Sequence, residues 1–126
     1  MEVKIDTREK FHVITIPEQN LSANMTDELK TLLIPFLQTP QKNVILNLKT
    51  VQSIDIASAE TLTLQQQKFY ENNASFVVCE LQAQVEEKLD QWDLLELLNS
   101  TPTESEAWDI IQMEEIEREL LNDEEF

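Results

Sequence analysis

The sequence predicts an α/β domain in which a small mixed β-sheet of four to five strands is covered by helices, followed by an acidic C-terminal helical extension. The first observation behind this is the stretch Asn43 to Leu64, NVILNLKTVQSIDIASAETLTL. Its apolar run at Val44, Ile45, Leu46 and Leu48 is broken only by Asn47. That length and composition suit a strand buried on both faces of a mostly parallel sheet. The second observation is an alternation of strand-like and helix-like segments along most of the chain. The third is charge: up to Cys79 there are nine acidic and seven basic residues, whereas from Glu80 onward sixteen acidic residues face only Lys88 and Arg118.

Val3 and Ile5 open a short strand, and Phe11 to Ile16 read as a second, with Arg8, Glu9 and Lys10 as a hairpin turn. Pro17 to Asn20 break the pattern. Helix one carries Met25, Leu29, Leu32, Leu33 and Phe36 on one face, with Ser22 or Asn24 as its cap. Pro35 lies inside that stripe, which predicts a kink or an end near Ile34. After the strand Val44 to Leu48, Ile54 and Asp55 lead into a second helix spanning Ser58 to Glu71, stopped at Asn72 and Asn73. Phe76 to Cys79 form another buried strand. Val85, Leu89 and Trp92 mark a short amphipathic helix, and Leu94 to Leu98 a last edge strand or a turn. Thr103 and Glu106 form a capping box. In the helix that follows, Ala107, Trp108, Ile110 and Ile111 share one face, while Met113, Ile116 and Leu120 project roughly opposite. The expected division is a domain over residues 1–112 and an acidic extension over 113–126, which either packs on another molecule or frays.

At 126 residues the chain supports one domain with a real core. No apolar stretch approaches the roughly 18 residues of a membrane span, so no direct membrane insertion is expected. The first residues carry charges without an apolar core region, which predicts no secretory signal. Cys79 has no partner cysteine and sits in an apolar run, as a buried thiol of a reducing cytoplasm would. There is no glycine, which excludes glycine-rich phosphate-binding loops. The net charge of −16 argues against nucleic acid, because neutralising phosphates requires clustered Lys and Arg.

No catalytic residue, cofactor or metal site emerges. The single histidine, His12, lies in a strand as a structural imidazole. Glu114, Glu115 and Glu119 stand at helical spacing, which a solvated acidic face explains without metal. A nucleophilic serine would lack a partnering base.

The order of elements, with Val44 to Leu48, Ser53, Ile54 and then Asp55-Ile56-Ala57-Ser58, resembles the STAS domain, the fold of bacterial anti-sigma-factor antagonists, over roughly residues 1–112. Asn20-Leu21-Ser22 stand where the family has a leucine and usually an acidic residue, and Trp108 fits the small closing helix. The resemblance implies a non-enzymatic, cytoplasmic interaction module whose partner is an anti-sigma factor or serine kinase. The implied docking face is Ser22, Asn24, Asp55, Ile56, Ala57, Ser58 and the exposed side of helix two, with Thr61 and Gln65. In the family a hydroxyl residue of this loop is phosphorylated, and the added charge repels the docking surface. Here that position is Ala57, the preceding serine is Ile56, and the glycine is Ser58. Ser58 is therefore expected to cap helix two, or to accept phosphate one position along. Asp55 is either a charge at the helix start or a partner contact, and Ile56 is either tucked under the helix or offered to a partner. Two alternative roles remain: a cytoplasmic subunit of a membrane transporter complex, and an interaction protein that binds through its acidic tail.

Overall fold

A computed structural model describes residues 1–124 of the chain. Strands β1 (Lys4–Thr7), β2 (His12–Thr15), β4 (Val44–Asn47), β6 (Phe76–Cys79) and β7 (Ser100–Thr101) form a five-stranded sheet in the order β1-β2-β4-β6-β7. The β1–β2 hairpin is antiparallel and every other pairing in this sheet is parallel. A separate two-stranded parallel ribbon joins β3 (Asn20–Leu21) to β5 (Ser53–Ile54). The helices are α1 (Thr26–Leu33), α2 (Ile56–Glu71), α3 (Ala83–Gln91) and α4 (Glu104–Glu124). No described helix is long and apolar enough to cross a membrane.

Because successive side chains of a strand point to opposite faces, β4 feeds two cores. Val44 and Leu46 join Leu29 and Leu33 of α1, Leu62 and Phe69 of α2, and Val85 and Leu89 of α3. Ile45 faces the other way, meeting Val13, Val77, Cys79 and the buried Ala107 and Ile111 of α4. Helices α1, α2 and α3 thus cover one face of the sheet and α4 the other. The continuous apolar run of β4 is the signature of this two-sided burial, and all four of its residues are buried.

The chain ends its helices without glycine. Asn73 and Asp93 adopt φ 58°, in the left-handed region, just beyond α2 and α3. Their successors close the helices, with Ala74 N–H donating to the Phe69 carbonyl at 2.9 Å and Leu94 N–H to that of Leu89 at 2.9 Å. Asn and Asp tolerate this conformation because a short polar side chain suffers least there. At the start of α4 the capping box is reciprocal: Glu106 N–H donates to Thr103 Oγ1 at 3.2 Å, and Thr103 N–H to Glu106 Oε2 at 3.2 Å.

Some expectations hold and others are corrected. Neither Ser22 nor Asn24 caps α1; the chain enters it through a 3-10 turn over Ala23–Met25, and the Ser22 hydroxyl donates to Asn24 Oδ1 instead. Pro35 does end α1 early, as a 3-10 turn over Ile34–Gln38. Of the two readings of Leu94 to Leu98 the turn holds, as a 3-10 turn over Leu95–Leu97, and the edge strand lies further on at Ser100–Thr101. Helix α2 starts at Ile56 rather than Ser58 because Asp55 supplies the cap. Of the region 113–126, residues 125 and 126 lie outside those described; up to Glu124, α4 is one unbroken helix.

Past Gln112, α4 is tied to the sheet by a polar clamp centred on Asn43. This side chain is 5 % exposed; its amide donates to the Lys10 carbonyl at 3.0 Å and to Glu115 Oε1 at 2.7 Å. Its Oδ1 accepts from Ser75 N–H at 2.9 Å. Glu114 completes the clamp, accepting from the Ser75 hydroxyl at 2.5 Å and from the Asn99 amide at 3.0 Å. Removing the Asn43 side chain leaves the buried Ser75 N–H without its acceptor, and the Lys10 carbonyl and Glu115 without a donor. Asn43→Ala is expected to lower unfolding free energy by about 2 kcal/mol, measured by urea denaturation; a loss below about 0.5 kcal/mol would show that water replaces the amide freely.

Candidate functional site

The ribbon β3–β5 brings two loops side by side at one end of the domain. Ser53 N–H donates to the Gln19 carbonyl at 3.1 Å and Asp55 N–H to the Leu21 carbonyl at 3.0 Å. This pairing sets Asp55 between two helical starts. Its Oδ1 accepts from Ser58 N–H at 2.9 Å, which caps α2, and its Oδ2 accepts from Ala23 N–H at 2.6 Å, at the first turn before α1. One carboxylate therefore satisfies an orphan amide of each segment.

These contacts hold the Asp55 carboxyl below its ordinary value of 3.8, the Ser58 backbone N–H being the largest cause and the Ala23 N–H a further one, against a smaller opposing effect of burial. The Ser58 hydroxyl stands close enough to favour the charge without meeting hydrogen-bond geometry. A depressed folded-state value means that the charged cap contributes its stability fully above the ordinary carboxylate range. That contribution is withdrawn as pH falls through the lowered value.

The candidate residues separate into two groups. Asn24 is exposed, Ser22, Asp55 and Ala57 are partly exposed, and Ile56, the first residue of α2, is 48 % exposed. These five cluster around the double cap. Ser58, Thr61 and Gln65 do not share that surface: all three are buried, Ser58 completely. They fall on the same arc of α2 as Ala59, Leu62 and Phe69 and face the core. Thr61 satisfies itself by donating to the Ala57 carbonyl at 2.9 Å, whereas Ser58 Oγ and Gln65 Oε1 have no hydrogen-bond partner among the described residues. Ser58 is thus neither the cap nor a hydroxyl presented at the surface. The outer side of α2 carries Ile56, Glu60, Thr63, Leu64 and Gln67 instead, and Leu64 is 61 % exposed. Ala59, Leu62 and Phe69 mark the inner arc, but Ile56 and Leu64 on the outer side blur the pattern, so the apolar positions alone do not reveal this rotation.

Other polar clusters serve the fold. Both ring nitrogens of His12 are engaged, Nε2 donating to the Gln41 carbonyl at 2.8 Å and Nδ1 accepting from the Thr7 hydroxyl at 2.9 Å. The ring packs on Phe36 with centroids 4.6 Å apart. Glu114 and Glu115, expected on a solvated face, turn inward onto the polar clamp. At the opposite ends of the strands, potential ligand atoms of Cys79, Glu80 and Glu104 lie within 4.8 Å of one another. The Asn47 amide donates to both carboxylates, at 2.8 and 3.1 Å. Burial, then the charges of Glu80 and Glu104, push the Cys79 thiol up to about 12, so at neutral pH it is protonated and a weak nucleophile.

A comparison with curated protein sequences finds no match. Solved structures share the fold at low identity. An anti-sigma-factor antagonist (STAS) domain protein from Planctomyces limnophilus superposes with a TM-score of 0.76 at 18 % identity, covering 87 % of this chain and 97 % of that one. An anti-sigma factor antagonist from Mycobacterium paratuberculosis gives 0.75 at 11 % identity, over 88 % and 93 % of the two chains. A sulfate transporter family protein from Wolinella succinogenes gives 0.71 at 17 % identity, over 86 % and 90 %. The model of the STAS domain matches residues 2–107, and with the sheet order and the loop at Asp55 this places the chain in the STAS domain family.

Proposed function

We propose that the chain is a protein-interaction module of the anti-sigma-factor-antagonist kind. It docks a regulatory partner, an anti-sigma factor or a serine kinase, through the Asp55–Ala57 loop, the neighbouring Ser22 and Asn24, and the outer ridge of α2. The observation that carries this reading is Ile56. A large apolar side chain at the start of a helix is held half exposed, on a backbone that Asp55 anchors at two points. Four positions along, Glu60, and eight along, Leu64, continue the same ridge. An apolar pair with a polar surround, preorganised before binding, is the composition of an interface centre rather than of ordinary solvated surface. The antagonists among the structural neighbours support the choice of partner class. The setting proposed is the cytoplasm.

We further propose that docking here is constitutive. Ala57 has no hydroxyl, and the Ser58 hydroxyl is buried against the core, where a phosphate would have to displace packed atoms. Asp55 acts by positioning, because both of its oxygens are committed to backbone amides.

The test is binding to the anti-sigma kinase of the same host, followed by titration calorimetry. Ile56→Asp is expected to weaken binding at least tenfold while leaving the thermal midpoint within about 2 °C, since surface substitutions shift stability little; undiminished binding by the folded variant would remove Ile56 from the interface. Incubated with that kinase and ATP, the native chain is expected to gain no phosphate, and Ala57→Ser to gain one by intact mass; phosphate on Ser58 would overturn the constitutive reading. Asp55→Asn keeps one oxygen for the Ser58 N–H but turns an amide NH2 toward the Ala23 N–H, so it opens one of the two caps. Binding is expected to fall by roughly tenfold, and undiminished binding would show that the second cap does not preform the loop.

A further inference from the structure

The outer face of α4 lies on the opposite side of the sheet from the α2 ridge. Met113, Ile116 and Leu120 are each 57 % exposed there, and they recur at i, i+3 and i+7, so they form one stripe. Leu121, at 62 % exposure, borders its far end, and the stretch from Met113 to Leu121 spans about 12 Å; Trp108 lies off the stripe, its ring 6.2 Å from that of Phe11. Such a stripe on a helix whose opposite side is already packed has nothing left to cover within the domain.

Charge on this helix is just as one-sided. Asp109, Glu117 and Glu119 are exposed beside the stripe, and Glu106 is exposed about two turns before it. The only basic residue in α4, Arg118, turns inward: its Nη1 donates to Ser75 Oγ at 3.2 Å and its Nη2 lies 3.4 Å from Asn43 Oδ1. Glu114 and Glu115 also point inward, onto the same clamp. The clamp therefore fixes the rotation of the helix, holding the apolar stripe and its acidic margins outward with no basic group among the described residues of that face.

We infer that the outer face of α4 is a second docking site, whose occupant is a basic amphipathic helix of another protein. Its apolar side would lie on Met113, Ile116 and Leu120, and its Lys or Arg side chains would reach the carboxylates at the margins. A second copy of the chain fits poorly, because two identical faces would bring acidic margins together. Anionic lipid and nucleic acid are repelled for the same reason.

The probe is a synthetic 18-residue peptide of leucine and lysine with leucines at i, i+3, i+4 and i+7, compared with a scramble of the same composition at physiological salt. The amphipathic peptide is expected to bind the full chain at least tenfold more tightly than the scramble. In nitrogen-15 spectra the shifts should concentrate on residues 108–121 rather than on α2. The double substitution Ile116→Glu, Leu120→Glu is expected to reduce binding at least tenfold with unchanged helicity, while Ile56→Asp binds the peptide as the native chain does. Equal binding of peptide and scramble would reduce the interaction to net charge and overturn the proposal. So would self-association of the native chain that the double variant abolishes, or binding of the native chain to zwitterionic lipid vesicles, which would assign the stripe to a second copy or to a membrane.

Discussion

The Asp55 carboxylate is the constraint on which the arrangement of this surface depends. Two helical segments begin within hydrogen-bonding distance of it, and each start leaves amides that no backbone carbonyl can reach. By accepting from Ser58 and Ala23 together, one side chain closes both, over 32 residues of sequence in the second case. Negative charge is favoured at such a place, because the dipole of α2 points its positive end toward it. The loop between β5 and α2 then has little freedom, which is why a bulky residue such as Ile56 can remain outside instead of folding under the helix.

The two faces of the sheet use different means to hold their helices. On the side of α1, α2 and α3 the contact is a large apolar cluster, with Phe69 and Phe76 rings 5.2 Å apart at its centre. On the side of α4 the apolar cluster is small, and a polar clamp at Asn43, Ser75, Glu114, Glu115 and Arg118 extends it. Hydrogen bonds are directional where apolar packing is not. The clamp therefore specifies the rotation of α4 more sharply than Ala107 and Ile111 could alone, and it continues the attachment beyond the point where the apolar residues change sides.

Much of the fold was legible because burial leaves a periodic trace. The apolar runs of β2, β4 and β6, the stripe of α1, the break at Pro35 and the capping box at Thr103 all stand where their local patterns put them. What was illegible depended on partners distant in sequence. A ribbon of two residues per strand, joining Asn20–Leu21 to Ser53–Ile54, is too short to leave a period. Glu114 and Glu115 look like any solvated pair until Asn43 and Ser75 are brought beneath them. Ser58, Thr61 and Gln65 misled for a related reason: polar side chains suggest solvent, yet the rotation of α2 is set by Ala59, Leu62 and Phe69, and the polar residues follow them inside. The turn at Asp55 between strand and helix was legible, while the double role of its aspartate was not.

The central claim is that a single carboxylate locks both turns and so preforms the docking loop. Amide hydrogen exchange at Ala23 tests it most directly, since this N–H lies in a short exposed turn whose only described acceptor is Asp55. Protection at Ala23 comparable to that at Ser58 near neutral pH, lost at both amides when Asp55 is replaced by alanine, is the predicted result. Exchange of the Ala23 amide at the rate of an unstructured peptide in the native chain would show that the two segments move independently, and would contradict the account.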